Sequence, residues 1–197
     1  MGGTARMLRR ARGYAPTPIP LPPGFEGAPT VLALGGELKN TICLLQDGQA
    51  ILSQHLGDLE EARTAGEFVR TIGLYRDLFQ HDPARIAVDL HPDYRSSQTG
   101  RVMAADEGRE LVEIQHHFAH IAAVMADNGL PRDAGPVLGI ALDGLGFGDD
   151  GTIWGGEFLR ADYSGFQRLA HLAPVPLAGG TRAILEPVSY THLRAHE

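Results

Sequence analysis

The sequence predicts an α/β protein built around a repeated β unit, and two observations carry that prediction. Between residues 31 and 136, short apolar strands alternate with stretches whose apolar residues recur at helical spacing. In addition, a strand, a Gly-rich turn, a strand, a tight turn and a strand occur twice in that order, starting at Val31 and at Val137. Each copy opens on Val-Leu and leads into glycines. The 25 glycines in 197 residues are about twice ordinary usage, which assigns them local backbone work.

The elements follow in order. Residues 1–30 carry Pro16, Pro18, Pro20, Pro22, Pro23 and Pro29, which forbid helix and favour an extended linker. Val31 to Leu34 reads as a strand ending in Gly35-Gly36, and Thr41 to Leu45 as a second strand. Asp47-Gly48 is a hairpin turn, and Ala50 to Leu52 continues as a third strand. Residues 58–80 read as helix from Leu59, Ala62, Phe68, Ile72, Tyr75 and Phe79. Arg85 to Leu90 is a strand of the buried type, residues 94–109 a weakly patterned helix, and Leu111 to Ile114 another strand. His116 to Asn128 is a helix stopped by Gly129 and Pro131. Val137 to Leu142 is a strand, followed by a Gly-rich loop over 143–151. Thr152 to Ala161 and Phe166 to Leu172 complete the second copy.

Composition narrows the function classes. The formal net charge is −7, although Arg6, Arg9, Arg10 and Arg12 stand in the first twelve residues without an acid. The remaining chain is therefore strongly acidic, which argues against a general nucleic-acid binder. No segment reaches the roughly 18 apolar residues of a membrane span, and the basic start leads into prolines rather than a signal-peptide core. Cys43 is the only cysteine, so neither a disulfide within the chain nor a CxxC zinc site is available, and a cytoplasmic location is expected.

The densest chemistry lies in Gln115-His116-His117-Phe118-Ala119-His120. On a helix, Phe118, Ile121, Ala122 and Met125 form an apolar stripe, and His116 and His120 lie together on nearly the opposite side. Two imidazoles at i and i+4 can chelate one metal. A solvated helix face and chance clustering stay open on spacing alone. Asp143, at the end of an apolar strand, is the natural third ligand; the plainer reading is that it begins a turn. A His/His/Asp set suits Zn²⁺ or Fe.

Two Gly-rich loops accompany it. Gly144, Gly146, Gly148 and Gly151 free the backbone of 143–152 to approach a ligand, although no Walker sequence follows. The matching loop is Gly35-Gly36-Glu37-Leu38-Lys39-Asn40, which holds the only lysine of the chain. A lysine there reaches a phosphate in one reading and is a solvated hairpin charge in the other. Two such loops facing each other across a duplicated fold is the arrangement of the actin, sugar-kinase and Hsp70 class. Cys43 and Trp154 read as packing residues, and Asp89, His91, Pro92, Asp93 and Tyr94 as a strand end facing a cleft.

The strings LALGGELKNTICL, SQHLGDLE, DLHPDY, QHHFAHIAAVMA and ALDGLGFGDDGTIWGGEF resemble the carboxy-terminal part of the HypF carbamoyltransferases, maturation factors of nickel–iron hydrogenases. RRARGYAPTPIPLP resembles the junction after the YrdC-like domain of that family. The resemblance runs from about Arg9 to Pro187.

It implies a duplicated actin-like ATPase fold, of the ribonuclease H-like (ASKHA) type, with the first half and the start of the second present. The division would be 1–30 linker, 31–136 first subdomain, 137–187 beginning of the second, and 188–197 a foreign-looking tail. The whole family protein adds acylphosphatase-like, zinc-finger and YrdC-like domains. It uses ATP with Mg²⁺ and carbamoyl phosphate to form carbamoyl-adenylate, then carbamoylates the C-terminal cysteine of its partner HypE. The resemblance places one divalent metal, Zn or Fe, on His116, His120 and Asp143. It places nucleotide on Gly35, Gly36, Lys39 and Asn40, and on Gly144, Gly146, Gly148, Asp149, Gly151 and Thr152. His55, Asp58, His91 and Asp93 are candidate substrate contacts, and no catalytic acid or base is assigned. Position 118, His in the family's usual run, is Phe here, and the family's last aspartate ligand has no match.

Two further readings compete. Threonylcarbamoyl transfer to tRNA is disfavoured by the acidic body and by DLHPDY and GDDGTIWGGEF. A truncated metal-binding fragment without turnover is favoured for the polypeptide on its own.

Overall fold

The computed structural model describes residues 14–174. Its first sheet starts from a meander of β2 (Val31–Ala33), β3 (Cys43–Gln46) and β4 (Gln49–Leu52). The expected hairpin is present: Asp47 and Gly48 both have positive φ, 51° and 68°, the conformation whose twist matches the flanking strands. Helix α1 (Ala62–Leu78) leads to β5 (Arg85–Asp89), α2 (Arg95–Glu107) to β6 (Glu110–Ile114), and α3 (His116–Asp127) follows. β5 pairs parallel to β2, and β6 parallel to β5. With β1 (Ile19–Pro20) on the outer edge, the order is β1-β4-β3-β2-β5-β6. The carboxyl ends of β2, β5 and β6 therefore share one edge of the sheet, where open α/β sheets place ligands.

The second sheet repeats the meander as β7 (Val137–Phe147), β8 (Ile153–Asp162) and β9 (Gly165–His171), in the order β7-β8-β9. Two cores result. Leu32, Leu44, Phe68, Ile72, Ile86 and Val88 belong to the first. Ile121 and Met125 of α3 pack with Trp154, Leu159 and Ala161 in the second. Helix α3 thus follows the first sheet in sequence but packs on the second, across the expected boundary at 136/137.

Three expectations change. The helix expected over 58–80 begins only at Ala62. The preceding backbone is tied to the first glycine loop, through Asn40 N to Gly57 O, Leu56 N to Asn40 O and Leu59 N to Glu37 O. The loop expected over 143–151 is strand as far as Phe147, and the hairpin turn itself occupies only 148–152. Residues 14–30, expected as an extended linker, form a strap on the folded body. Pro20 sits on an edge strand, where a missing N–H is tolerated. Leu21 N–H donates to Gly48 O, Arg132 N–H donates to Pro23 O, and Phe25 meets Tyr163 edge-on at 4.9 Å. The expected foreign tail, 188–197, lies outside the described residues, as do the four leading arginines. Among the described residues no helix is long and apolar enough to cross a membrane.

Candidate metal centre

Three elements converge on one point. β5 ends in Asp89, α3 opens with His116 and presents His120 one turn later, and Asp143 is the first residue of an irregularity in β7. His116 Nε2 lies 3.0 Å from Asp143 Oδ2 and 3.1 Å from His120 Nε2. His120 Nε2 lies 3.3 Å from the same carboxylate oxygen. Ligand atoms about 2.0–2.2 Å from a single Zn²⁺ stand roughly 3.0–3.5 Å from one another, so the triangle has the edges of one face of a coordination polyhedron. It is the metal-type cluster found among the described residues.

Behind the triangle, Asp89 Oδ2 is 2.7 Å from His116 Nδ1. Asp89 is nearly buried, and its other carboxylate oxygen accepts the His91 N–H. That contact commits the Nδ1 proton of His116 to the carboxylate and leaves Nε2 free to ligate. The Asp89 hydrogen bond, helped by the charges of Asp89 and Asp143, raises the His116 pKa above the ordinary imidazole value in spite of partial burial. His120 stays largely exposed, so one flank of the centre is open.

The first glycine loop reaches this centre. A side chain on Gly36 would come within 3.8 Å of His116 Cε1, and Gly35, at φ +69°, would drive one into Thr41 O at 2.5 Å. Gly35, Gly36, Cys43, Asp89, His116 and His120 line one cavity of about 420 Å³. Asn40 is buried and staples the loop, its amide donating to Leu34 O at 2.8 Å and Gly36 O at 2.7 Å. The Lys39 backbone N–H donates to Asp58 Oδ1. Burial pushes the Cys43 thiol up to about 11, so it is a neutral lining group at physiological pH.

The second run is used differently. A Cβ on Gly146 would lie 2.3 Å from His117 Cε1, and one on Gly148 2.1 Å from Trp154 Nε1. These two glycines admit buried rings, whereas Gly144 faces open space and Gly151, at φ +75°, shapes the turn. Asp149 is exposed. Thr152 donates both its N–H and its hydroxyl to Asp150 Oδ1, which also receives the indole N–H of Trp154.

Of the candidate substrate contacts, His91 stacks on Tyr94 at 4.1 Å and stands 5.3 Å from Phe147, beside the centre. Asp93 contributes its N–H to His91 Nδ1. His55 is half-buried with Nε2 lacking a partner, and Asp58 serves the loop staple. Neither belongs to the metal triangle. Sequence reasoning missed the roles of Asp89, Tyr94 and Glu37. The Tyr94 phenol is pushed up by burial and by the carboxylates of Asp89, Asp143 and Glu37, and Glu37 Oε2 accepts the Arg95 N–H at the start of α2. The alternation of Asp89, His91 and Asp93 was the available signal for Asp89 and Tyr94.

Comparison with known proteins identifies the family. Residues 26–127 match the family model of the HypF Kae1-like domain, and residues 139–197 match that of the second subdomain of the carbamoyltransferase Kae1-like domain. The second match takes in 188–197. The fold and these family models thus define a Kae1-like domain of the duplicated actin-like class. The chain is 52% identical to the carbamoyltransferase HypF of Rhodobacter capsulatus over 181 residues, covering 92% of this chain and 24% of that protein. It is 46% identical to the Synechocystis protein of the same name over 187 residues, covering 95% of this chain and 23% of the relative. A crystal structure of full-length HypF in a phosphate- and nucleotide-bound form superposes with a TM-score of 0.81 at 42% identity, covering 89% of this chain and 22% of the other. HypF from T. kodakarensis superposes with a TM-score of 0.80 at 39% identity, covering 91% and 23%. The chain belongs to the HypF carbamoyltransferase family, and it spans about a quarter of the length of these relatives.

Proposed function

We propose that this chain supplies the metal- and nucleotide-holding part of a carbamoyl-transfer domain. The carrying observation is the triangle His116–His120–Asp143 with Asp89 behind it. Two imidazoles and a carboxylate fit a divalent Zn or Fe ion, and the open flank leaves room for an oxygen ligand from substrate. A bound ion there supplies Lewis-acid polarisation of a phosphate or carbonyl oxygen. Gly35 and Gly36 bring backbone against the same cavity. This suits a nucleotide whose phosphates lie along the loop, in keeping with the nucleotide-bound state of the full-length relative.

In this reading the whole protein, with its acylphosphatase-like, zinc-finger and YrdC-like domains, consumes ATP and carbamoyl phosphate by way of carbamoyl-adenylate. The acceptor is the C-terminal cysteine of HypE, whose thiolate attacks the carbamoyl carbon and releases the nucleotide. The product serves the cyanide ligands of nickel–iron hydrogenase. The test is mass spectrometry of HypE after incubation with the full-length protein, ATP and carbamoyl phosphate. One carbamoyl group per HypE is expected with the wild type and none with His116→Ala/His120→Ala. Undiminished transfer by the double variant would overturn the assignment.

A further inference from the structure

His117 lies between the two ligating histidines in sequence but points the other way. It is fully buried, on the same helical face as Ile121 and Met125. Its ring enters β7 where that strand departs from regular pairing. Leu142 pairs with Gly156 and Gly146 with Trp154, so residues 143–145 stand opposite Gly155 alone. Gly146 has no Cβ to meet the ring, which would come within 2.3 Å, and Trp154 flanks it at 6.2 Å between centroids. His117 Nε2 is 3.1 Å from the carbonyl oxygen of Asp143.

The hydrogen-bond inventory fixes which nitrogen carries the proton. Gln115 Oε1 accepts the Phe118 N–H at 2.9 Å. The Gln115 amide nitrogen then donates to Phe147 O at 3.2 Å and to His117 Nδ1 at 3.1 Å. With Nδ1 accepting, Nε2 bears the hydrogen and donates it to Asp143 O. The first turn of α3 thereby grips the irregular stretch of β7 at both ends, through Phe147 and through Asp143.

We propose that His117 is the positioning residue of the metal centre: its Nε2–H holds the Asp143 carbonyl in the β7 irregularity and so sets the distance between the Asp143 carboxylate and the His116–His120 pair. The role rests on the metal centre proposed above. It differs from ligation, because His117 contributes no atom to the triangle. It differs from core packing, because a ring of similar size without a donor cannot perform it.

The test is titration of the metal-free chain with Co²⁺, read by calorimetry and by the visible spectrum, alongside thermal unfolding of each variant. Wild-type binding that is lost in His116→Ala establishes the centre. His117→Phe then weakens binding by about 10–100-fold and changes the cobalt spectrum. His117→Gln, which keeps an N–H donor at similar reach, recovers most of the affinity. Gly146→Ala, which pushes the ring away without altering it, weakens binding as His117→Phe does and serves if His117→Phe fails to fold. Wild-type affinity in a folded His117→Phe or in Gly146→Ala would overturn the positioning role while leaving the centre standing. So would equal losses in His117→Phe and His117→Gln. Absence of binding by the wild-type chain would overturn both.

Discussion

Asp89 shows how much of the proposed centre would depend on a group outside the ligand triangle. Its carboxylate holds the Nδ1 proton of His116 and keeps that imidazole more basic than usual. In the proposed centre protons and metal would compete for His116, and metal affinity is expected to fall as the pH drops, beginning above the ordinary imidazole value of about 6.5. Asp89→Asn removes the charge that holds the imidazolium. In the metal-free variant the His116 pKa falls, as NMR titration will show, and metal affinity drops about 10–100-fold. An unchanged His116 titration would mean that Asp89 does not control this ring. The i, i+4 spacing of His116 and His120 and the strand-end place of Asp143 were legible in the sequence. Asp89 was visible only as a cleft-facing strand end, because its link to His116 joins residues 27 apart. His117 could have been recognised from its i, i+4, i+8 spacing with Ile121 and Met125, a pattern masked by half-buried His116 and exposed His120 beside it.

At the level of elements, the strands and helices of the first unit were readable because their apolar residues follow the period of each element. Helix α2 read weakly for a physical reason: its buried positions are Ser96, Ser97, Gly100 and Ala104, small residues that let it lie close against β5. A Cβ at Gly100 would sit 2.3 Å from Val88 Cγ1 and 3.0 Å from Leu34 Cδ1. Gly100→Ala gains about 1 kcal/mol of helix propensity and meets an overpacking cost of about 1–3 kcal/mol. The variant is therefore expected to unfold at a lower temperature than the wild type, and a rise in melting temperature would contradict this close approach. The same logic explains why β7 read as a loop past Leu142. Its glycines past Leu142 suggested a free backbone, yet Gly146 is a space occupied by His117. A composition rich in glycine does not distinguish a loop from a strand against which bulky groups pack.

Across the whole molecule, the residues of the proposed centre meet because α3 leaves the edge of one sheet and packs on the other, and a strap from 14–30 touches both. Neither relation is local in sequence, so the duplication was legible while the way its halves meet was not. Acid is also expected to act on this assembly at a group outside the proposed centre. His81 accepts burial beside the first sheet, with Nε2 at 3.2 Å from Leu45 O and Nδ1 buried without a partner, and desolvation lowers its pKa. A lowered folded-state pKa contributes stability that is present above about 6.5 and lost as the pH falls through the folded-state value. His81→Gln should reduce the loss of stability between pH 7.5 and pH 5.5 in urea unfolding, and an identical loss in the variant would assign the acid sensitivity elsewhere. The central claim, that α3 and β7 jointly hold one divalent ion, is tested most directly by elemental analysis of the purified chain after equilibration with Zn²⁺ or Fe²⁺ and removal of the excess. About one ion per chain in the wild type, and none in the folded His116→Ala/His120→Ala and Asp143→Ala variants, is the predicted result. Retention of a full equivalent by those variants would contradict it.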